Sequence, residues 1–76
     1  MTIRVDMSNS EKVVEFLRIN KGFWQCDRCI SVNTGVEPPN QVNQITRPLG
    51  TTRDYERRAT DCQNCGSTKV CIRRKP

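Results

Sequence analysis

Two cysteine pairs of identical spacing stand far apart in a short chain: Cys26-Asp27-Arg28-Cys29 and, after 32 intervening residues, Cys62-Gln63-Asn64-Cys65. Two residues between thiolates let both sulfurs of one turn reach a single ion at about 2.3 Å. Two such pairs complete a four-thiolate tetrahedron, whose softness suits zinc better than magnesium or calcium. Gly66, directly after the second pair, fits the tight turn of a zinc knuckle because glycine tolerates positive φ. The first pair lacks that glycine and suits the start of a helix, where backbone N–H groups stabilise thiolate. Four thiolates leave no position for water, so the ion expected at Cys26, Cys29, Cys62 and Cys65 is one structural zinc. The alternatives are iron in the same all-sulfur shell, a redox pair and disulfides. A thioredoxin-like pair needs a βαβ context, and five cysteines leave disulfide pairing with an odd one, Cys71.

Such a staple answers a shortage of core. The chain has 76 residues, of which 34% are hydrophobic and 5% aromatic. A chain of this size buries only about 60% of its unfolded surface, and metal-coupled folding supplies roughly 10–16 kcal/mol in small fingers. One zinc-binding domain over residues 1–76 is expected, with 1–8 and 74–76 as flexible ends. Cys71, within Val70-Cys71-Ile72, reads as a small buried hydrophobe. No run of 18 apolar residues and no charged-then-apolar leader occurs, so a cytoplasmic protein without a membrane span is expected. There is no histidine and no glycine-rich phosphate loop, and Asp54, Glu56 and Asp61 are scattered among arginines. These features point away from an enzyme.

Periodicity supplies the elements. Thr2 to Met7 alternate as a short strand would, with Ile3, Val5 and Met7 on one face. Ser8 and Glu11 form a capping box ahead of Val13, Val14, Phe16 and Leu17, predicting a helix over 9–20 that Asn20-Lys21-Gly22 stops. Phe23 and Trp24 are expected in the core beside the metal, with base stacking by Trp24 as the alternative role. Residues 26–33 suit a short second helix with Ile30 inward and Gly35 as terminator. After the Glu37-Pro38-Pro39-Asn40 turn, a helix opens at Pro39 or Asn40 and presents Val42, Ile45 and Leu49 on one side. Pro48 should end it near Thr46 or Arg47. Residues 55–60 and 69–73 read as two strands, with the second cysteine pair as the turn between them.

Helix, short helix, proline-containing turn, polar-faced helix and basic hairpin is the order of a winged helix-turn-helix. Through Val14-Glu15-Phe16-Leu17, Phe23 to Cys29, Gln41-Val42-Asn43-Gln44-Ile45 and Cys62 to Gly66, the chain resembles small zinc-containing winged-helix proteins of microbes and viruses. The resemblance covers roughly residues 11–73. It implies an α+β fold of three short helices and a C-terminal β-hairpin; a zinc ribbon, with both pairs on β-knuckles, is the structural rival. It further implies a third helix in the major groove and a hairpin on the backbone.

The charge distribution agrees with such a partner. Residues 1–44 carry five positive and five negative groups, whereas residues 45–76 carry eight against three. Asn40, Gln41, Asn43, Gln44 and Arg47 are side chains that can bind adenine or guanine edges. Arg57, Arg58, Lys69, Arg73 and Arg74 on the hairpin suit phosphates. Four thiolates and one dication lower the net charge from +5 to +3, so binding by one copy should be modest and salt-sensitive. DNA is the favoured partner, and an acidic protein docking on the same basic surface is the alternative.

Overall fold

A computed structural model describes residues 7–76. The strand expected over 2–7 falls outside the described residues up to residue 6, and Met7 lies in a bend ahead of the first helix. Among the described residues the fold is α+β, in the order α1 (Asn9–Ile19), β1 (Gln25–Cys26), α2 (Asp27–Thr34), α3 (Pro39–Leu49), β2 (Tyr55–Asp61) and β3 (Thr68–Arg74). The strands form one antiparallel sheet in the order β1-β3-β2.

α1 begins on a side-chain cap, whereas the N-cap residues of α2 and α3, Cys26 and Pro38, make no side-chain hydrogen bond. Glu11 N–H donates to Ser8 Oγ (3.1 Å) and Ser8 N–H donates to Glu11 Oε1 (2.9 Å), the reciprocal capping box. The serine, asparagine and threonine of α2 are poor helix formers, yet here their side chains close the helix. Ser31 Oγ donates to the Val36 carbonyl (2.6 Å), Thr34 Oγ1 to Ile30 (2.7 Å) and Asn33 Nδ2 to Cys29 (2.7 Å). Gly35 follows in the left-handed conformation at φ 78°, which glycine adopts without strain. Pro39 then opens α3 at a position whose N–H would have had no partner in any case.

α3 runs to Leu49, two to three residues past the end near Thr46 or Arg47 expected from Pro48. Proline removes one backbone donor and restricts one preceding residue. The next donors compensate: Gly50 N–H reaches the Thr46 carbonyl (2.9 Å) and Thr51 N–H the Pro48 carbonyl (3.1 Å). Ile45 and Leu49 also pack against the core, which favours the extra turn.

Val13 and Leu17 of α1, Ile30 of α2, Val36, Val42 of α3, Tyr55 of β2 and Ile72 of β3 form the apolar core. The hairpin pairs Tyr55 with Arg74 and Asp61 with Thr68, one residue longer at each tip position than expected. Residues 74–76, expected as a flexible end, start inside β3: Gly22 N–H donates to the Arg74 carbonyl and Lys75 N–H to Asp54 (2.9 and 2.8 Å). Phe23 is 54% exposed instead of buried. Its N–H bonds the Asn20 carbonyl (3.0 Å), so it belongs to the turn after α1 and precedes the strand.

Asp27, the first residue of α2, ties that helix to α3. Its carboxylate accepts from Asn43 Nδ2 and Thr46 Oγ1, both at 2.9 Å, and Thr46 is fully buried. Asp27→Ala leaves both donors without their acceptor and is expected to lower the unfolding free energy by about 2 kcal/mol in urea denaturation. A loss under about 0.5 kcal/mol, as at ordinary surface positions, would contradict this role.

Candidate metal centre

The two cysteine pairs arrive from opposite ends of the sheet topology. Cys26 ends β1 and is the N-cap of α2, which places Cys29 in the first turn of that helix. Cys62 and Cys65 lie in the connection between β2 and β3. That connection is a knuckle: Cys62 N–H donates to the Ser67 carbonyl (2.9 Å), Gly66 N–H donates to the Cys62 carbonyl (2.8 Å), and Gly66 has φ 78°. Pairing of Cys26 with Cys71 across β1 and β3 draws the first pair onto the hairpin.

All four Sγ atoms lie within 4.8 Å of one another. Cys26 and Cys65 Sγ are 3.9 Å apart, and Cys29 and Cys62 Sγ are 3.7 Å apart. Ligands about 2.3 Å from a central ion define a tetrahedron with edges of about 3.8 Å. The sulfurs therefore sit at the separation that one four-coordinate ion requires, and too far apart for the bond of about 2.05 Å that a disulfide needs. Cys26, Cys29 and Cys62 are buried; Cys65 faces solvent. A backbone donor serves the cluster as well, since Cys26 N–H points to Cys62 Sγ at 3.3 Å.

The electrostatics of the two pairs differ. Burial pushes the Cys26 and Cys29 thiols above the ordinary thiol range. At Cys62 burial acts in the same direction, but the N–H groups of Cys65, Cys26 and Asn64 outweigh it and lower the value. The Ser67 N–H, and then its hydroxyl, bring Cys65 down to about 6. The knuckle thus favours thiolate and burial opposes it at the helix pair, where a bound cation would offset that cost. Cys71, buried as expected, lies outside the tetrad; burial and then the charge of Cys62 raise it to about 11.

Trp24 packs with Cys26, Cys29, Cys62 and Cys71 in a second cluster. Gln63 of the knuckle locks it there: Trp24 N–H donates to Gln63 Oε1 (2.8 Å), and Gln63 N–H donates to the Trp24 carbonyl (2.9 Å). The guanidinium carbons of Arg58 and Arg73 lie 4.8 and 4.7 Å from the centre of its ring. Gln63 and Asp27 carry no spacing signal in the sequence, because their partners are 39, 16 and 19 residues away.

The polar residues assigned to recognition do not form one surface. Asn40, Gln44 and Arg47 make an exposed stripe along α3. Gln41 is half-buried, and Asn43 is turned to Asp27. In the hairpin, directly paired residues share a face. Arg57 and Arg74 fall on the side of Tyr55 and Ile72; Arg57 packs at Gly50, and Arg74 lies over the Tyr55 ring at 5.6 Å. Arg58, Lys69 and Arg73 share the opposite side with Cys71. Arg73 is also paired with Glu56 at 2.8 Å.

No protein-family model, curated protein or solved structure matches this chain. No described helix is long and apolar enough to cross a membrane.

Because Cys26 and Cys29 hold their protons more tightly than an ordinary thiol, loading the site at pH 7 must expel them. Adding zinc to the reduced protein in a weakly buffered indicator dye is expected to release protons, and the affinity should fall as pH is lowered. The fall should steepen below about pH 6, where Cys65 also gains a proton. Binding without proton release would contradict this assignment of ligands.

Proposed function

We propose that this protein is a zinc-stapled winged helix-turn-helix module that binds DNA. The observation that carries the reading is the α2–α3 pair. Its helices are joined by the four residues 35–38, with Gly35 in the turn, and α3 leaves Asn40, Gln44 and Arg47 exposed on one stripe. A three- or four-residue, glycine-containing connection is the hallmark of helix-turn-helix units. The placement of the first cysteine pair at a helix N-terminus, with only the second on a knuckle, favours the winged form over the ribbon.

In this reading the ion is zinc and its role is structural. Four thiolates close the coordination shell, and the chain is assigned no catalytic chemistry. Thiolate ligands last where thiols are kept reduced, which supports a cytoplasmic location. Asn40 and Gln44 offer donor–acceptor pairs for adenine, and Arg47 offers a fork for guanine or phosphate. Arg57 and Arg74, on the helix side of the hairpin, contact the backbone. Asn43 acts inside the fold, holding α3 to Asp27.

Fluorescence anisotropy with a labelled duplex tests the reading. With Arg47, Arg57 and Arg74 as about three phosphate contacts, affinity should drop about 40-fold between roughly 50 and 200 mM salt. Gln44→Ala should change base preference, and Arg47→Ala should weaken binding. Binding indifferent to salt and to both substitutions would overturn the DNA assignment. Retention of an acidic protein with no binding to duplex would place the surface among protein-interaction modules instead.

A further inference from the structure

The strand register separates the basic side chains of the hairpin onto two sides of the sheet. Tyr55 and Ile72 face the helical core, and Arg57 and Arg74 share their side. The other side carries Arg58, Lys69 and Arg73 around Cys71, together with Glu56 and Thr60. Glu56 neutralises Arg73 at 2.8 Å. Among the described residues no carboxylate pairs with Arg58 or Lys69, and both are exposed. They are diagonal neighbours in the register, because Arg58 opposes Cys71 and Lys69 opposes Thr60.

Trp24 makes this side more than a solvated patch. The residue is only 7% exposed, so its ring offers no platform for a base. It serves instead as a seat for guanidinium groups, with Arg58 at 4.8 Å and Arg73 at 4.7 Å. A guanidinium held against a ring keeps its N–H fork directed outward and loses little freedom on meeting a phosphate. The Trp24 backbone is tied to the knuckle through Gln63 and the residue packs with the cysteines, so the seat depends on the same site that fixes the hairpin.

We propose that this outer side of the sheet is a second phosphate-binding surface, formed by Arg58 and Lys69 with Arg73 behind them, and that it holds a nucleic-acid segment separate from the one on α3. Local charge selects the occupant: Arg58 and Lys69, without a carboxylate partner among the described residues, line the surface with one ion-paired cation and a hydroxyl, and its one carboxylate is engaged by Arg73, while the −2 of a zinc-loaded tetrad beside Cys71 keeps the attraction short-ranged and salt-sensitive. A module with phosphate-binding surfaces on opposite sides of one sheet bridges two duplexes. The proposal goes beyond the α3 reading and stands or falls separately.

Trp24 is the single tryptophan and reports directly on this surface. The zinc-loaded protein carrying Asn40→Ala, Gln44→Ala and Arg47→Ala is titrated with a short DNA duplex while tryptophan emission is followed. The emission is expected to change on binding, with an affinity that falls roughly tenfold between about 50 and 200 mM salt, as two neutralised phosphates require. Adding Lys69→Glu, at an exposed residue that is not itself over the Trp24 ring, should abolish the change. In the unaltered protein, donor- and acceptor-labelled duplexes should show energy transfer that either set of substitutions removes. An unresponsive Trp24, a response unaffected by Lys69→Glu, or a response to polyglutamate but not to duplex would overturn the proposal. Duplex binding lost only on α3 substitution, with Trp24 silent, would sink this inference and leave the α3 reading. A Trp24 response without base preference at α3 would do the reverse.

Discussion

The contact on which the structure depends is the convergence of four sulfurs, two from the start of α2 and two from the tip of the hairpin, within 4.8 Å. Remove it and little else holds that tip. Val13, Leu17, Ile30, Val36, Val42, Tyr55 and Ile72 bury one apolar core between the helices and the sheet. Beyond Ile72 and Tyr55 toward the knuckle the hairpin side chains are mostly polar or charged, Ala59 and Val70 are exposed, and the buried contacts are those of Trp24 and Cys71 with the tetrad itself. Metal coordination of about 10–16 kcal/mol is comparable to the entire net stability of a domain, about 5–15 kcal/mol.

From that contact the order spreads by short steps. Cys26 caps α2, Asp27 follows it, and Asp27 receives Asn43 and Thr46 of α3. Thus the helix with the exposed Asn40, Gln44 and Arg47 stripe is oriented by a residue lying between two cysteines of the tetrad. On the other side Gln63 joins the knuckle to Trp24, and Trp24 seats Arg58 and Arg73. The sulfur site therefore stands behind both basic surfaces, and the sheet keeps them apart.

Much of this was legible in the sequence because the signals are local. The cysteine spacing identifies the tetrad, the Ser8–Glu11 box and Gly35 bracket the first two helices, and the alternation at 55–60 and 69–73 marks the hairpin. The misreadings come from interactions between distant residues. Packing of Leu49 carries α3 past Pro48, contrary to the local backbone preference. β1 has only two residues and exists through pairing with Ile72 and Cys71, so no periodicity announces it. Asn43 looks like a recognition side chain until its acceptor, 16 residues earlier in the chain, is in place. The division of the arginines is implicit in the alternation of β2 and β3, but which side faces the helices follows from Tyr55 and Ile72 in the assembled core.

The most direct test of the sulfur clasp is metal analysis of the purified, reduced protein followed by circular dichroism and thermal melting with and without a strong chelator. One zinc ion per chain, with loss of the folded spectrum and the cooperative melt on chelation, is the result this account requires. An identical spectrum and melting curve after the metal has been stripped would contradict it.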